Sequence, residues 1–226
     1  MVKTAFVLGA GLGTRLRPLT VNCPKPLLPV RGRPMVEHVF ERLADSGVRR
    51  LIVNTHHAAE RWAQAFPGGE WRGLPLLFRH EPRLLGTAGG LKNAADLIGG
   101  GDFVLHSGDV VTDLPLEKLL AAHASHAAEV TLALRDSATK TIGIDADGVV
   151  RQVGGGADSD LAWYDYANIA IISPCFLQRI PDTQPRELAA VWRGMTGGGA
   201  LRGVVINSGE WHNVGTPEEY EKLNQP

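Results

Sequence analysis

The fold of this chain is decided by the stretch Thr4-Ala5-Phe6-Val7-Leu8-Gly9-Ala10-Gly11-Leu12-Gly13-Thr14-Arg15-Leu16. Its apolar first part predicts a buried strand, and its glycines predict a loop that exposes a row of backbone N–H groups. Because glycine carries no Cβ atom, a phosphate can approach such a loop closely. Arg15 adds positive charge, as does Lys25 in Pro24-Lys25-Pro26-Leu27-Leu28-Pro29-Val30. Together these features predict a site for a nucleoside triphosphate.

The glycine loop, residues 9–14, differs in register from the two commonest phosphate-binding loops. A dinucleotide-binding loop has the pattern G-x-G-x-x-G; here Gly9 and Gly11 fit, but Thr14 takes the third place. The Gly-Lys-Ser/Thr of a Walker loop is absent from the sequence. A Rossmann oxidoreductase is therefore disfavoured. A plain turn stays an alternative for the loop alone, but Lys25, fixed between two prolines, favours a binding role.

Composition limits the class of protein. The 226 residues suffice for one α/β domain, and 44% hydrophobic and 21% charged residues are ordinary for a globular chain. With 23 basic and 24 acidic residues, the chain lacks the basic excess of a nucleic-acid binder. No apolar run approaches the roughly 18 residues of a membrane span, and Met1-Val2-Lys3 opens into a strand rather than a signal peptide. Cys23 and Cys175 form no metal-type spacing, so we expect neither zinc nor a disulfide, and a reducing cytoplasm.

Strand-like and helix-like segments alternate along the first 135 residues. This order predicts an α/β fold with a Rossmann-like, mostly parallel sheet flanked by helices on both faces. The predicted strands are 5–8, 50–54, 74–79, 103–106 and 130–134, and the predicted helices are 35–44, 58–66, 88–98 and 116–128. Because ligands bind at the carboxyl ends of parallel strands, we expect the glycine loop, the Gly86 turn and Asp109 to share one rim.

The pattern changes after about residue 140. A small hairpin is predicted to turn at Asp147-Gly148, and an apolar strand is predicted over 166–172. Near the end, Thr216 is predicted to cap a helix that has Pro217 at its first position and Glu219 three residues after the cap.

Several motifs of this chain resemble those of the sugar-1-phosphate nucleotidylyltransferases. They are Gly9-Ala10-Gly11-Leu12-Gly13-Thr14-Arg15-Leu16-Arg17-Pro18-Leu19-Thr20 with the Lys25 stretch, Glu81-Pro82-Arg83-Leu84-Leu85-Gly86-Thr87-Ala88-Gly89-Gly90-Leu91, Ser107-Gly108-Asp109-Val110, and Trp211-His212-Asn213-Val214-Gly215-Thr216-Pro217-Glu218. The resemblance spans nearly the whole chain, and its first motif is the most specific. It implies the nucleotide-diphospho-sugar transferase fold, with Mg²⁺ as cofactor. It also implies a reaction in which a nucleoside triphosphate and a sugar 1-phosphate give a nucleotide sugar and pyrophosphate.

The resemblance also implies an organisation for the chain. One nucleotidyltransferase domain is expected over 1–226, with 1–135 mainly binding the nucleotide. Residues 136–226, including the hairpin as a small insertion, are expected mainly to bind the sugar phosphate. A cytoplasmic monomer or homodimer is expected, serving nucleotide-sugar synthesis for cell-envelope polysaccharide, with no nucleic-acid or membrane partner.

Residue roles follow from the same resemblance. Arg15 is expected to grip the β- and γ-phosphates, Lys25 the α-phosphate, and Asp109 the Mg²⁺ ion. The residues expected to bind the nucleotide are Leu8, Gly9, Ala10, Gly11, Gly13, Thr14, Glu81, Gly86 and Thr87, and those expected to bind the sugar are Gly89 and Asn168. Simpler alternatives stay open: a structural turn at 86–90, a surface glutamate at 81, a solvent-facing residue at 168, and a plain cap at 109.

Asn213 departs from the family pattern, which places a second Mg²⁺-binding aspartate at this position. An amide oxygen is neutral and binds a hard dication less tightly than a carboxylate does. Asn213 can still ligate through its carbonyl, or Asp109 can hold the metal alone with help from Asp113. A third reading is a weakened enzyme that only binds nucleotide sugars.

The motifs separate the substrates poorly. The glycine loop and the Gly86 turn look most like mannose-1-phosphate guanylyltransferases, so GTP with mannose 1-phosphate is the first expectation. The chain length also resembles that of N-acetylmuramate-1-phosphate uridylyltransferases and heptose-1-phosphate guanylyltransferases, which leaves two alternative substrate pairs.

Overall fold

The computed structural model of the protein describes residues 2–156, 158–181 and 185–225. The strands are β1 (Thr4–Leu8), β2 (Pro29–Val30), β3 (Arg33–Pro34), β4 (Arg50–Thr55), β5 (Glu70–Trp71), β6 (Leu74–His80), β7 (Phe103–Ser107), β8 (Val110–Thr112), β9 (Val130–Arg135), β10 (Ile142–Ile144), β11 (Val150–Val153), β12 (Ala162–Ile172), β13 (Leu201–Val205) and β14 (Trp211–Asn213). The helices are α1 (Met35–Asp45), α2 (Glu60–Ala65), α3 (Gly86–Asn93), α4 (Ala95–Ile98), α5 (Leu116–Ala124), α6 (Leu188–Arg193) and α7 (Pro217–Asn224). Short 3₁₀-helices occur at Thr14–Leu16, Lys25–Leu27 and Pro174–Arg179.

One ten-stranded mixed sheet forms the centre of the molecule. Its middle runs β7-β1-β4-β6, and these neighbours pair in parallel. The long strand β12 pairs antiparallel with β7 on one side and with β9 on the other, and β13 lies parallel to β9. The carboxyl ends of the four central strands therefore lie along one edge, as the sequence predicted.

Apolar side chains cover both faces of the central strands. On one face, Phe6 packs in a cluster with Leu91 of α3 and Trp192 of α6. On the other face, Val7 packs in a cluster with residues of α1 and α2, such as Phe40 and Trp62. A parallel sheet buried on both sides needs such continuous apolar strands. The predicted fold class, an α/β sheet flanked by helices, is confirmed.

Some predicted boundaries were wrong for local reasons. The helix predicted over 88–98 starts earlier, at Gly86, and is divided into α3 and α4, because Ala94 leaves the helical conformation. The helix predicted over 116–128 ends at Ala124, where the hydroxyl of Ser125 donates to the carbonyl of Ala122. The predicted strand over 166–172 begins at Ala162, and α2 is shorter than the predicted 58–66.

The second half of the chain returns to the rim of the sheet. Strand β14 pairs antiparallel with β8, so that Asn213 lies opposite Val110. Helix α7 follows with the predicted capping box, in which the Thr216 side chain accepts from the N–H of Glu219. Residues near both ends of the sequence thus meet beside the glycine loop.

Candidate functional site

A cavity of about 340 Å³ opens at the carboxyl edge of the central strands. It contains the glycine loop, both predicted cations and Asp109. The residues that line it are Leu8, Gly9, Ala10, Gly11, Gly13, Thr14, Arg15, Leu16, Lys25, Pro26, Asn54, Glu81, Leu84, Gly86, Thr87, Ser107, Asp109, Glu187 and Gly215. The structure thus brings together twelve residues predicted to bind nucleotide or to act in catalysis.

Asn54 anchors the start of the glycine loop by side-chain hydrogen bonds. It follows the buried apolar residues Leu51 to Val53 of β4, and its side-chain oxygen accepts from the N–H of Gly9 at 2.8 Å. Its amide nitrogen donates to Glu81 at 2.7 Å. Both Asn54 and Glu81 are buried, at 2% and 0% exposure, so this chain of hydrogen bonds is shielded from water. These hydrogen bonds connect the start of the glycine loop, after β1, to Glu81 at the end of β6, which lies two strands away in the sheet.

Glu81 is therefore not a surface residue, and that alternative was wrong. One carboxylate oxygen accepts from Asn54 and the other from the N–H of Leu85. Although Glu81 lines the cavity, both of its oxygens already have donors. Its expected part in reading the nucleotide base stays a prediction, while its contacts assign it a supporting position under the loop.

Lys25 and Asp109 meet although 84 residues separate them. The ammonium of Lys25 lies 2.5 Å from a carboxylate oxygen of Asp109, and their side chains are 10% and 30% exposed. Gly108 makes this approach possible, because its N–H donates to the carbonyl of Leu8. A Cβ atom at Gly108 would lie 2.7 Å from that carbonyl oxygen. The turn after β7 is thus pressed against β1, beside the 3₁₀ turn that carries Lys25.

Arg15 lies at the same end of the cavity, against the segment after β14. Its two terminal nitrogens are 3.3 Å from the position that a Cβ atom on Gly215 would take. Glu219 accepts from the N–H groups of Gly215 and Thr216, which holds that segment in place. The cations of the site therefore come from the first 25 residues, and the wall behind Arg15 comes from the last 15.

Asp109 lines the cavity, whereas Asn213, the second residue expected to bind Mg²⁺, lies outside its lining on the neighbouring strand β14. Asn213 pairs with Val110, the neighbour of Asp109, and the N–H of Val214 donates to the carbonyl of Asp109 at 3.0 Å. Mg²⁺ prefers oxygen ligands and keeps several positions for phosphates and water. Among residues 2–156, 158–181 and 185–225, no cluster of three or more His, Cys, Asp or Glu could hold a metal alone. A Mg²⁺ ion beside Asp109 would therefore need further oxygen ligands, such as the phosphates of a substrate.

The remaining predicted residues lie around the cavity rather than in its lining. Asn168 has a φ of 64° at the β-bulge of β12 and precedes Ile169, which pairs with His106 of β7. Gly89 is buried in α3 and donates its N–H to the carbonyl of Arg186. Asp113 lines a different cavity, where it accepts from the N–H of Glu210. The roles of Asn168 and Gly89 toward a sugar stay predictions.

His106 is buried beneath the turn that carries Asp109. Its Nδ1–H donates to the carbonyl of Ser107 at 2.8 Å, and its Nε2 has no partner among the described residues. Burial lowers the pKa of His106 to about 4. The ring is therefore neutral at pH 7 and forms part of the support of the turn.

Asn54 and Glu187 were missed at the level of sequence. A polar residue that ends a buried apolar run is a usable signal, and Leu51-Ile52-Val53-Asn54 offered it. The sequence gives no such signal for Glu187, because its hydrogen-bond partner Thr87 lies 100 residues away in the chain.

Comparison with known proteins places the chain in a family. The family described as Nucleotidyl transferase matches residues 4–144. The chain is 32% identical, over 96% of its length, to the N-acetylmuramate alpha-1-phosphate uridylyltransferase of Caulobacter vibrioides, with 93% of that relative covered. The chain therefore belongs to the nucleotidyl transferase family, as its motifs predicted.

Other relatives carry a different substrate in their names. The chain is 38% identical to the mannose-1-phosphate guanylyltransferase of Mycobacterium tuberculosis, over 58% of this chain and 36% of that protein. It is 31% identical to the mannose-1-phosphate guanylyltransferase catalytic subunit beta of Drosophila pseudoobscura pseudoobscura, over 96% of this chain and 60% of that one. The matched region thus spans less than two thirds of the length of these relatives.

Solved structures share the fold. HddC from Yersinia pseudotuberculosis, complexed with GMP-PN, superposes with a TM-score of 0.81 at 23% identity, covering 98% of both chains. A glucose-1-phosphate thymidylyltransferase structure from Bacillus anthracis, titled as putative, reaches a TM-score of 0.85 at 19% identity, covering 99% of this chain and 94% of that one. At these identities the likeness concerns the fold.

Two further expectations concern the cysteines and the helices. Cys23 is half-buried and Cys175 is exposed, and both are free thiols in the structure. Within the described ranges, each helix is too short or too polar to cross a bilayer.

Proposed function

We propose that this protein transfers a nucleotidyl group from a nucleoside triphosphate to a sugar 1-phosphate and releases pyrophosphate. The observation that carries the proposal is the meeting of Arg15, Lys25 and Asp109 with the glycine loop in one cavity. The proposal extends to one domain, in which residues 1–135 mainly bind the nucleotide and residues 136–226 mainly bind the sugar phosphate.

The proposed chemistry requires charge neutralisation rather than a protein base. An oxygen of the sugar phosphate bonds to the α-phosphorus, and the bond from that phosphorus to the oxygen shared with the β-phosphorus breaks. The attacking phosphate is already ionised. Catalysis then consists of alignment and of stabilising the charge that develops on the phosphates.

The cations of the site suit that task. The planar guanidinium of Arg15 matches the geometry of the β- and γ-phosphates, which leave as pyrophosphate. Lys25 is a compact charge for the α-phosphate, and its ion pair with Asp109 keeps it at the floor of the cavity until a nucleotide arrives. Residues 8–14, Gly86 and Thr87 complete the proposed nucleotide contacts, although the N–H groups of Gly9 and Thr87 already donate to Asn54 and Glu187.

Mg²⁺ is the proposed cofactor, and when bound it supplies positive charge to the phosphate oxygens. Asp109 and Asn213 are the residues that would hold it. Because Asn213 contributes no charge, the nucleotide phosphates provide most of the negative ligands in this proposal. Nucleotide and metal are therefore expected to bind together rather than separately.

GTP with mannose 1-phosphate is the proposed substrate pair, and two relatives named as mannose-1-phosphate guanylyltransferases support it. UTP with N-acetylmuramate 1-phosphate is the alternative that the Caulobacter vibrioides relative supports. GTP with heptose 1-phosphate is a further alternative. Gly89 and Asn168 are the proposed sugar-binding residues. A cytoplasmic role in nucleotide-sugar synthesis belongs to the same proposal.

Asn213 favours a second candidate function, a nucleotide-sugar-binding protein without turnover. The resemblance places a carboxylate of the family at this position. In the structure Asn213 pairs with Val110, the residue that follows Asp109. Such a protein would bind nucleotide sugars yet release no pyrophosphate.

A pyrophosphate-release panel tests the proposal. Four nucleoside triphosphates are crossed with mannose, glucose, heptose and N-acetylmuramate 1-phosphates in the presence of Mg²⁺. We expect one pair to turn over, and we expect Lys25→Ala and Asp109→Ala each to lower its turnover at least about 100-fold. Lys118→Ala, which removes an exposed lysine on α5, is the matched control. If the folded protein releases no pyrophosphate with any pair, the result would contradict transferase activity on these substrates. It would favour a nucleotide-sugar-binding protein without turnover.

A further inference from the structure

The cavity has two chemically different ends, set by the order of the strands. Asp109 follows β7, whereas Asn54 and Glu81 lie at the ends of β4 and β6. In the order β7-β1-β4-β6, these positions are separated by up to three strand spacings, about 14 Å. With the triphosphate at Arg15 and Lys25, the base must lie toward β4 and β6. That end is also lined by Gly86, Thr87 and Glu187.

At the β6 end, most polar groups are already engaged with one another. Asn54 bonds to Gly9 and Glu81, and the second oxygen of Glu81 accepts from the N–H of Leu85. The hydroxyl of Thr87 donates to Glu187. None of these side chains offers a strong unengaged acceptor to a ligand.

Glu187 is different, because only one of its oxygens is engaged. Oε2 accepts from the hydroxyl of Thr87 at 2.7 Å and from its N–H at 3.3 Å. Oε1 has no hydrogen-bond donor within the described part of the chain. It lies 2.8 Å from the position that a Cβ atom on Gly86 would take, in the wall of the cavity. A free carboxylate oxygen is thus presented where the base must lie.

The contacts of the segment around Glu187 hold this carboxylate in one place. The N–H of Leu188 donates to the hydroxyl oxygen of Thr87 at 2.8 Å. The N–H of Arg186 donates to Leu85, and the carbonyl of Arg186 accepts from Ala88. A group fixed in this way loses little conformational entropy when a ligand binds, so it can discriminate between ligands.

A carboxylate accepts hydrogen bonds and donates none. Guanine presents two neighbouring donors on one edge, N1–H and the N2 amino group, which a carboxylate can accept together. Uracil presents a single N3–H between two carbonyl oxygens, and these oxygens repel a carboxylate. We infer that Glu187 is a specificity-determining residue that selects a guanine base. This inference rests on the proposed function for the presence of a nucleotide in the cavity.

Equilibrium binding tests the inference without requiring turnover. Calorimetry with GTP, ITP and UTP, each with Mg²⁺ and no sugar phosphate, compares the protein with Glu187→Gln. ITP has the N1–H of guanine but lacks its amino group. We expect the protein to bind GTP at least about tenfold tighter than ITP or UTP, the scale of one charge-assisted hydrogen bond. Glu187→Gln is expected to weaken GTP at least about tenfold, to bring GTP and ITP to similar affinities, and to leave UTP unchanged or tighter.

The control variants separate base selection from a structural role. Glu117→Gln makes the same change on the exposed side of α5 and is expected to change none of the three affinities. Glu187→Asp keeps a carboxylate and is expected to keep the preference for GTP, which tests the inference even if Glu187→Gln lowers the melting temperature. An equal loss for all three nucleotides would overturn the inference and leave Glu187 as a cap of α3. A protein that prefers UTP would overturn it as well.

Failure of the inference and failure of the proposed function are distinguishable. Guanine-selective binding that depends on Glu187, with no pyrophosphate release, would contradict only the transferase. Turnover with UTP alone would support the transferase and contradict the role of Glu187.

Discussion

Asn54→Ala is expected to destabilise the fold far more than an ordinary substitution of an asparagine. The side chain serves two buried groups, the N–H of Gly9 at 2.8 Å and the carboxyl of Glu81 at 2.7 Å. A buried polar group that loses its partner costs about 1–3 kcal/mol, and more if it is charged. With both groups affected, we expect the free energy of unfolding to fall by about 3–5 kcal/mol. This is a large share of the roughly 5–15 kcal/mol that stabilises a typical domain.

The assay is chemical and thermal unfolding followed by circular dichroism. A loss of this size is expected to lower the melting temperature by roughly 6–20 °C, at about 2–4 °C per kcal/mol for a domain of this size. Asn22→Ala removes an exposed asparagine near the same loop and is expected to change the free energy by less than about 0.5 kcal/mol. Because Gly9 opens the glycine loop, Asn54→Ala is also expected to weaken nucleotide binding.

A double-mutant cycle gives the decisive result. Asn54→Ala and Glu81→Ala each leave the other residue without its partner, so the double variant is expected to lose less than the sum of the two single losses, by about 1 kcal/mol or more. Strict additivity, or a loss below about 1 kcal/mol for Asn54→Ala alone, would refute the reasoning that these residues form one buried network.

Three further outcomes are expected. Asn213→Asp places a second carboxylate beside Asp109 and is expected to tighten Mg²⁺ in the nucleotide-bound protein about tenfold, measured by calorimetry; equal affinities would remove residue 213 from the metal. The pKa of His106 lies near 4 when folded and near 6.5 when unfolded. The unfolded chain therefore takes up the proton first, and the free energy of unfolding falls as the pH drops from 6.5 to 4. Urea titrations are expected to show a shallower fall for His106→Gln, and an identical slope would contradict this origin. Thr216→Ala removes the cap of α7 and is expected to cost about 1 kcal/mol, seen as a melting temperature lower by about 2–4 °C; an unchanged value would deny the cap that role.

The parts of the fold predicted from sequence are those set by local patterns. Apolar runs such as Phe103 to Leu105 are long enough to identify buried strands. Because the carboxyl ends of parallel strands lie at one edge of the sheet, the glycine loop and Asp109 are then expected to lie together. The cap at Thr216 depends on three residues in one turn, which a sequence displays directly. The predicted helix boundaries were wrong where a single residue, such as Ala94, leaves the helical conformation and the composition gives no signal of it.

The parts of the site that were missed depend on contacts between distant residues. The ion pair of Lys25 with Asp109 spans 84 residues, and the clamp of Thr87 on Glu187 spans 100. Lys25, Asp109 and Thr87 were each identified from their motifs, but Glu187 was not, because an exposed glutamate is not distinctive by itself. Glu81 was identified from its motif, but its full burial comes from the packing of β4 beside β6, which no local pattern reports.

The balance of charge in the cavity has a consequence for how fast a nucleotide arrives. The lining has two cationic and three acidic side chains, so its formal charge is −1. A cavity of that sign does not attract a polyanion over distance, because its cations are matched by Asp109, Glu81 and Glu187. Association is therefore expected to lack electrostatic steering and to slow little as ionic strength rises, unlike capture by a basic groove. The cations act at contact, after diffusion has delivered the ligand.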